Sequence, residues 1–295
     1  MSLSDLVQIL VTGLTYGSVY GLLGLGYTIQ FASTRVINFA HGDLLMMAVM
    51  TTAVTQADGW PLLASIALGI ASSTLLSVAT YVFAILPVLG RTSLNFAWLV
   101  STLGVSIVIE QSAAIAWGST SIPFPALLST TTVKIADVNI SLENFLMFAV
   151  AIFLVAFFEF VRRRTLAGKV AAAVALDPEM ASAFSMNRNI VALVSFAAAG
   201  LMAGIAGILI APLTFANAYM GTGFGIQGFV AIMLGGIGNP LGAIVGAFLL
   251  SLSEAFAANW IGGGASDWFP FVILLLVLLI RPRGIFAGRQ VALSS

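Results

Sequence analysis

The chain has 295 residues, of which 60% are hydrophobic and only 7% are charged, with Lys+Arg 11 against Asp+Glu 11. A water-soluble domain carries about 25% charged residues, so this composition describes a membrane protein and excludes a cytosolic enzyme, a nucleic-acid binder and a disordered scaffold. Cysteine is absent, which removes disulfides, structural zinc and thiol chemistry.

A helix crossing a hydrocarbon core of about 30 Å needs about 20 apolar residues. Read in chain order, the gaps between charges predict spans over 6–31, 36–55, 61–86, 94–117, 144–161, 190–211, 224–234, 241–258 and 268–280. The seventh is too short to cross straight, and a broken or re-entrant helix is tolerated in a membrane only where other protein covers its backbone. The long charge-free stretch that holds spans six to eight is divided by Pro212, by the glycines from Gly221 to Gly225 and by GGIGNP, which ends at Pro240. The expected fold is therefore all-α: a polytopic integral membrane helix bundle of eight or nine segments, one domain over 1–295. The opening MSLSD lacks the positive region of a cleavable signal, so the first apolar stretch reads as a retained span.

Lys and Arg mark cytoplasmic loops near span ends. Arg162, Arg163, Arg164, Lys169 and Arg188 flank one loop, and Arg281, Arg283 and Arg289 follow the last span. Counting back by alternation puts Arg35 and Arg91 on that side too, and Asp58, Lys134, Asp137, Glu143 and Asp267 on the other. The C-terminus is then cytoplasmic and the N-terminus external, with Lys134 the one charge out of place.

Close backbone approach through small residues holds helices together in lipid, where no hydrophobic drive acts between them. Gly13, Gly17 and Gly21 share one stripe at four-residue spacing, and Gly200 with Gly204 and Gly242 with Gly246 repeat it. Three packing seams are expected there.

A strongly polar side chain within a bilayer is a functional candidate, because it is costly unless it faces the bundle interior or water. The densest group is VINFAHGD, with Asn38, Phe39, His41, Gly42 and Asp43; His41 is the chain's single histidine. Gly42 can interrupt the helix and expose backbone groups to a path; equally, the group can be a capping and hydrogen-bonding cluster near the cytoplasmic interface. Glu110, beside Gln111, and Glu254 are carboxylates that serve either transport chemistry or inter-helix structure, and Gln227, Asn239 and Asn259 are weaker candidates. With one histidine and no cysteine, no metal site is expected.

The loop over 162–189 is the most informative polar piece. Asp177 can cap a helix that has Pro178 at its first position and Glu179 at its second, with Met180 and Phe184 four apart on one face. A helix lying on the membrane surface would carry Lys and Arg on its polar face, and none stands between Lys169 and Arg188. Insertion into a groove of another protein fits better. There is no G-x-x-x-x-G-K-[ST], HExxH or GxSxG, so the chain is not expected to bind a nucleotide phosphate or to be an enzyme.

These residues resemble a family. GLTYGSVYGLLGLGYTIQFASTRVINFAHGD, AVALDPEMASAFSMNRN, AAAGLMAGIAGILIAPL, GFVAIMLGGIGNPLGAIVGAFLLSLSE and IRPRGIFAG are similar to the permease subunits of branched-chain amino-acid ABC importers, the LivH type in particular. The resemblance covers about two thirds of the chain and leaves 59–139 matched in hydropathy only. It implies the ABC importer permease fold, a second permease of the LivM type, two cytoplasmic ATPases that use ATP and magnesium, a periplasmic binding protein, and an inner-membrane location. It implies no cofactor bound by this chain. The family's ATPase-coupling role carries onto Ala175, Asp177, Pro178, Glu179 and Ala181, although this chain reads Phe184, Ser185, Met186 where many relatives have Gly after the helix. Leu, Ile and Val are the implied substrates; permeases of this family also serve urea, short amides and other amino acids. A proton-coupled secondary transporter built on His41, Asp43, Glu110 and Glu254 is the rival reading of the residues.

Overall fold

The computed structural model describes residues 3–89, 96–128, 132–135, 138–281 and 284–286. Eleven helices follow one another: α1 (Leu3–Thr34), α2 (His41–Ala57), α3 (Leu62–Ala79), α4 (Ala97–Trp117), α5 (Leu142–Arg164), α6 (Leu166–Leu176), α7 (Pro178–Ala183), α8 (Arg188–Thr214), α9 (Met220–Gly235), α10 (Pro240–Trp260) and α11 (Ala265–Ile280). A π-helical stretch, Thr80–Ile85, continues α3, so that Leu62–Ile85 forms one apolar rod. Six rods are long and apolar enough to cross a membrane; α2, α9 and α11 have 17, 16 and 16 residues.

The all-α expectation is correct for the body of the molecule. The outer connection adds what the sequence reading left out: strands β1 (Thr132–Ile135) and β2 (Val138–Ser141) pair antiparallel, with Thr132 opposite Ser141.

Helices α1, α2 and α8 form the centre, and α10 packs along α1. Gly13 and Gly17 of α1 lie against Leu252, Phe248 and Ser251 of α10, so close that an added Cβ at either would come within about 2.5 Å of a side-chain atom. Gly21 on the same stripe has ordinary room, with Ala247 at 3.8 Å. Gly200 and Gly204 of α8 face Ser73 and Ser77 of α3, while Gly242 and Gly246 of α10 face Gly235 and Ala231 of α9. Hydroxyl groups use the closeness these seams allow: Ser73 Oγ donates to Gly200 O at 2.8 Å, Ser77 Oγ to Phe196 O at 2.6 Å and Ser251 Oγ to Gly13 O at 2.7 Å. In a medium without competing water such bonds contribute about 0.6 kcal/mol each.

The two ends of the bundle differ in charge. Arg35 donates to Ala175 O and Arg188 Nη2 to Thr34 O at 3.5 Å, joining the end of α1 to α6 and to the start of α8. Residues 284–286 are fastened at that end too, since Ile285 N donates to Leu234 O and Phe286 N to Gly235 O. At the opposite end Ile122 pairs with Ala216, and Asn217 Nδ2 donates to Ser119 O and Ser121 Oγ. Arg35, Arg162, Arg163, Arg164, Lys169, Arg188 and Arg281 thus collect at one end and Asp58 and Glu143 at the other. Arg91, Asp137, Arg283, Arg289 and the Asp267 side chain lie outside the described residues.

The second span departs from expectation. Residues 36–40 are not helical, and α2 begins at His41 instead of Val36. Asn38 makes the break: its Oδ1 accepts from Ala40 N at 3.1 Å and its carbonyl from His41 N at 3.0 Å, a local turn that competes with helix. The sequence VINFA contains no Gly or Pro, hence the misplaced start.

Candidate functional site

Residues 36–40 carry the chain back into the bundle. Gly26 of α1 lies against both the His41 ring and Ala199 of α8. It stands eight residues before Thr34, and Ala199 stands eleven after Arg188, so at 1.5 Å per residue α2 starts about 12 to 16 Å below the arginine end. His41 is therefore near mid-depth, away from the interface at which one of the two readings of the sequence set the cluster. Six residues from Arg35 to His41 are enough, because extended chain reaches about 3.3 to 3.6 Å per residue.

His41 is fully buried. Its Nδ1 is 3.3 Å from Gln30 Nε2, its ring meets the Tyr27 ring edge-on at 4.5 Å, and its Nε2 turns toward α1 at Gly26. Phe39 packs on Phe229 of α9 with ring centroids 5.5 Å apart. Gly42 touches α9 backbone to backbone: an added Cβ would sit 2.5 Å from Gly225 Cα. Any larger residue there must push the two helices apart. Tyr27 closes the contact from α1, its hydroxyl donating to Gly225 O at 3.1 Å.

Asp43, 1% exposed, stands against Gly221 in the first turn of α9. Neither carboxylate oxygen meets hydrogen-bond geometry with another group, and Ser106 and Glu110 of α4 face it. Two helix N-termini converge on this carboxylate, its own in α2 and that of α9. Each carries about half a positive charge on unsatisfied N–H groups.

Glu110 is one step further out on the same first turn of α9: its Oε2 accepts from Thr222 Oγ1 at 2.8 Å. Thr222 and Gly223 are exposed and Glu110 half-buried, so this polar pair opens on the face formed by α4 and α9. Glu254 is elsewhere. Tyr20 Oη donates to its Oε2 at 3.0 Å, and the Tyr20 ring lies 6.3 Å from Phe224 and 6.1 Å from Tyr16. Gly42, Asp43 and Glu110 thus meet the start of α9 at Gly221, Thr222 and Gly225, whereas Phe39 packs further along α9 on Phe229, Asn38 bonds within its own turn, His41 faces α1, and Glu254 is reached only through Tyr20 and Phe224. His41 points away from Asp43 into α1, so the described residues form no single chain of His41, Asp43, Glu110 and Glu254 for a proton to follow. Tyr20, Tyr27, Gln30 and Thr222 escaped the sequence reading. The signal for the tyrosines was present, since a phenol in an apolar helix needs a partner.

The loop at the arginine end holds two helices. Thr165 Oγ1 caps α6 by accepting from Gly168 N at 3.1 Å. Asp177 Oδ1 caps α7, accepting from Glu179 N at 3.1 Å and Met180 N at 3.0 Å, with Pro178 at the first position. Ala181 packs inward, whereas Leu176, Met180 and Phe184 are 84%, 61% and 72% exposed. The helix ends at Ala183. Phe184 is its C-cap, and Ser185 adopts φ 62, the left-handed conformation that Gly favours. Met186 N then donates to Ala181 O and Ser185 N to Ser182 O, so a Schellman end is built without glycine. Arg35 repeats the theme after α1 with φ 60 and its N–H bonded to Phe31 O at 2.8 Å. A non-glycine residue in that conformation costs about 1 to 2 kcal/mol.

A bundle of apolar rods, seamed by glycine, with polar side chains turned inward at mid-depth and a helical loop at its basic end, is that of a multi-pass membrane protein. Over residues 9–280 the chain matches the family described as branched-chain amino acid transport system / permease component, and it belongs to that family. Among curated relatives, the high-affinity branched-chain amino acid transport system permease protein BraD of Pseudomonas aeruginosa is 33% identical over 97% of this chain and 97% of its own. LivH proteins of the same description from Escherichia coli and Salmonella typhimurium are 31% and 30% identical over 97% of this chain and 96% of theirs.

Proposed function

We propose that this chain is a permease subunit of an ATP-driven importer for branched-chain amino acids in the bacterial inner membrane, with the α6–α7 end in the cytoplasm. The exposure of three large apolar side chains at the α6–α7 end, Leu176, Met180 and Phe184, carries the reading. Water does not stabilise three large apolar side chains presented together at a charged end, and a groove on an ATPase subunit would cover them. The gathering of Arg35, Arg162, Arg163, Arg164, Lys169, Arg188 and Arg281 at that end supports its cytoplasmic side, which leaves the N-terminus periplasmic.

The relatives' names support leucine, isoleucine and valine as substrates. The partners are two ATPase subunits, which use ATP and magnesium, a second permease of the LivM type and a periplasmic binding protein. The substrate path runs past the first turn of α9, beside Gly42, Asp43 and Glu110, with Asn38, Phe39 and His41 in the turn that leads to them and Glu254 at its border. His41 and Gln30 hold the re-entrant turn, while Glu110 and Thr222 present polar groups to the path.

The test uses the complete transporter in vesicles with ATP enclosed. Uptake of leucine should require ATP, the binding protein and the ATPase pair, and replacing Asp177 and Pro178 together by alanine should uncouple hydrolysis from uptake. Import by this chain alone on a pH gradient would overturn the reading.

A further inference from the structure

Arg35 occupies a backbone conformation that glycine takes without strain, and its long side chain reaches a helix 140 residues away in sequence. The guanidinium donates to the carbonyl of Ala175, in the last turn of α6, and stands 5.8 Å over the Phe31 ring. The last carbonyls of a helix lack internal partners, and this one is answered from across the fold. Ala175 lies two residues before Asp177, the cap of α7. On the other side of Arg35, residues 36–40 lead without regular structure to His41. Val36 packs on the way against Tyr81, Ile85 and Phe196, beside the π-helical stretch of α3. Arg188, at the start of α8, donates to Thr34 O, one residue before Arg35.

We propose that Arg35 is a positioning residue of the transport cycle: it fastens the α6–α7 joint to the segment over 36–43, so that a displacement of α7 is delivered to His41, Gly42 and Asp43. This rests on the reading of α7 as the contact for the ATPase. The route has one link, a hydrogen bond from the Arg35 guanidinium to the Ala175 carbonyl, between two elements that share no covalent neighbourhood. Contiguity suggests a route, and a measured coupling establishes it.

The experiment compares Arg35→Gly and Arg35→Lys with the unaltered chain in the full transporter in vesicles, reading leucine uptake, ATP hydrolysis and thermal stability together. Glycine suits the left-handed backbone and deletes the side chain; lysine keeps a donor of similar reach. Arg35→Gly is expected to leave the assembled complex as heat-stable as the unaltered one and hydrolysis within about twofold, while substrate moved per ATP falls about tenfold or more. Arg35→Lys is expected to recover most of that ratio. An Arg35→Gly transporter that moves substrate with unchanged stoichiometry overturns the proposal. So does a parallel fall of uptake and hydrolysis in both variants, or loss of the folded complex in both, because each makes the side chain a support of assembly and not of coupling. Retained coupling in the Asp177 and Pro178 double variant would instead overturn the docking role of α7, so the two failures are told apart.

Discussion

The two long connections of this permease treat their apolar residues in opposite ways. Among the described residues of the connection between α4 and α5, Phe124 is 8% and Ile140 4% exposed, with Leu128 turned outward; Leu127 N is tied to Glu143 Oε1 at 3.0 Å, and Ile122 pairs with Ala216. The connection between α5 and α8 turns Leu176, Met180 and Phe184 outward. Its polar groups are nevertheless satisfied, by the Thr165 and Asp177 caps and the turn at Ser185. The first connection buries its largest described side chain, Phe124; the second buries Val174 and Ala181 but leaves Leu176, Met180 and Phe184 uncovered. That contrast motivates the proposed docking role of the second connection.

Substitution can break the contrast from either side. The largest effect is expected from Met180→Asp combined with Phe184→Asp. Co-purification with the ATPase subunits should fall at least a hundredfold, while the thermal stability of the permease alone is unchanged, because neither side chain is buried. On the other connection, Phe124→Ala should destabilise the chain by about 3 kcal/mol in reversible unfolding, in the range for a truncated buried ring, and leave ATPase association intact. Asp177→Ala removes two accepted N–H bonds and should lower the local stability of α7 by about 1 kcal/mol, read as faster amide exchange at Glu179 and Met180. Ser185→Gly is the smallest and opposite change. It should slow exchange at Met186, whose N–H closes the helix end, by the relief of about 1 kcal/mol of left-handed strain.

Much of the fold was legible because lipid imposes simple rules. Charge gaps located the spans, and small residues at four-residue spacing fell on the lines where α1 meets α10, α3 meets α8, and α9 meets α10. The Asp177–Pro178 start of α7 was equally legible, since capping is decided by three or four neighbouring residues. What stayed hidden depends on distant partners. Nothing in VINFAHGD states that His41 lies at mid-depth, because that follows from its seat between Gly26 and Ala199. The pairing of Glu110 with Thr222 needed the re-entry of α9, and the grip of Arg35 on Ala175 spans 140 residues. Ser185 was obscured for a different reason: the rule expects glycine at a left-handed helix end, and here another residue takes its place.

The central claim is that α7 is an uncovered cytoplasmic face awaiting the ATPase. The chain has no cysteine, so Met180→Cys introduces a single reporter for a membrane-impermeant maleimide. In inside-out vesicles the variant is predicted to react rapidly when the permeases are present alone and to be shielded about tenfold or more once the ATPase subunits are bound. Equal reactivity with and without the ATPase, or labelling from the external side of sealed cells, would contradict the account.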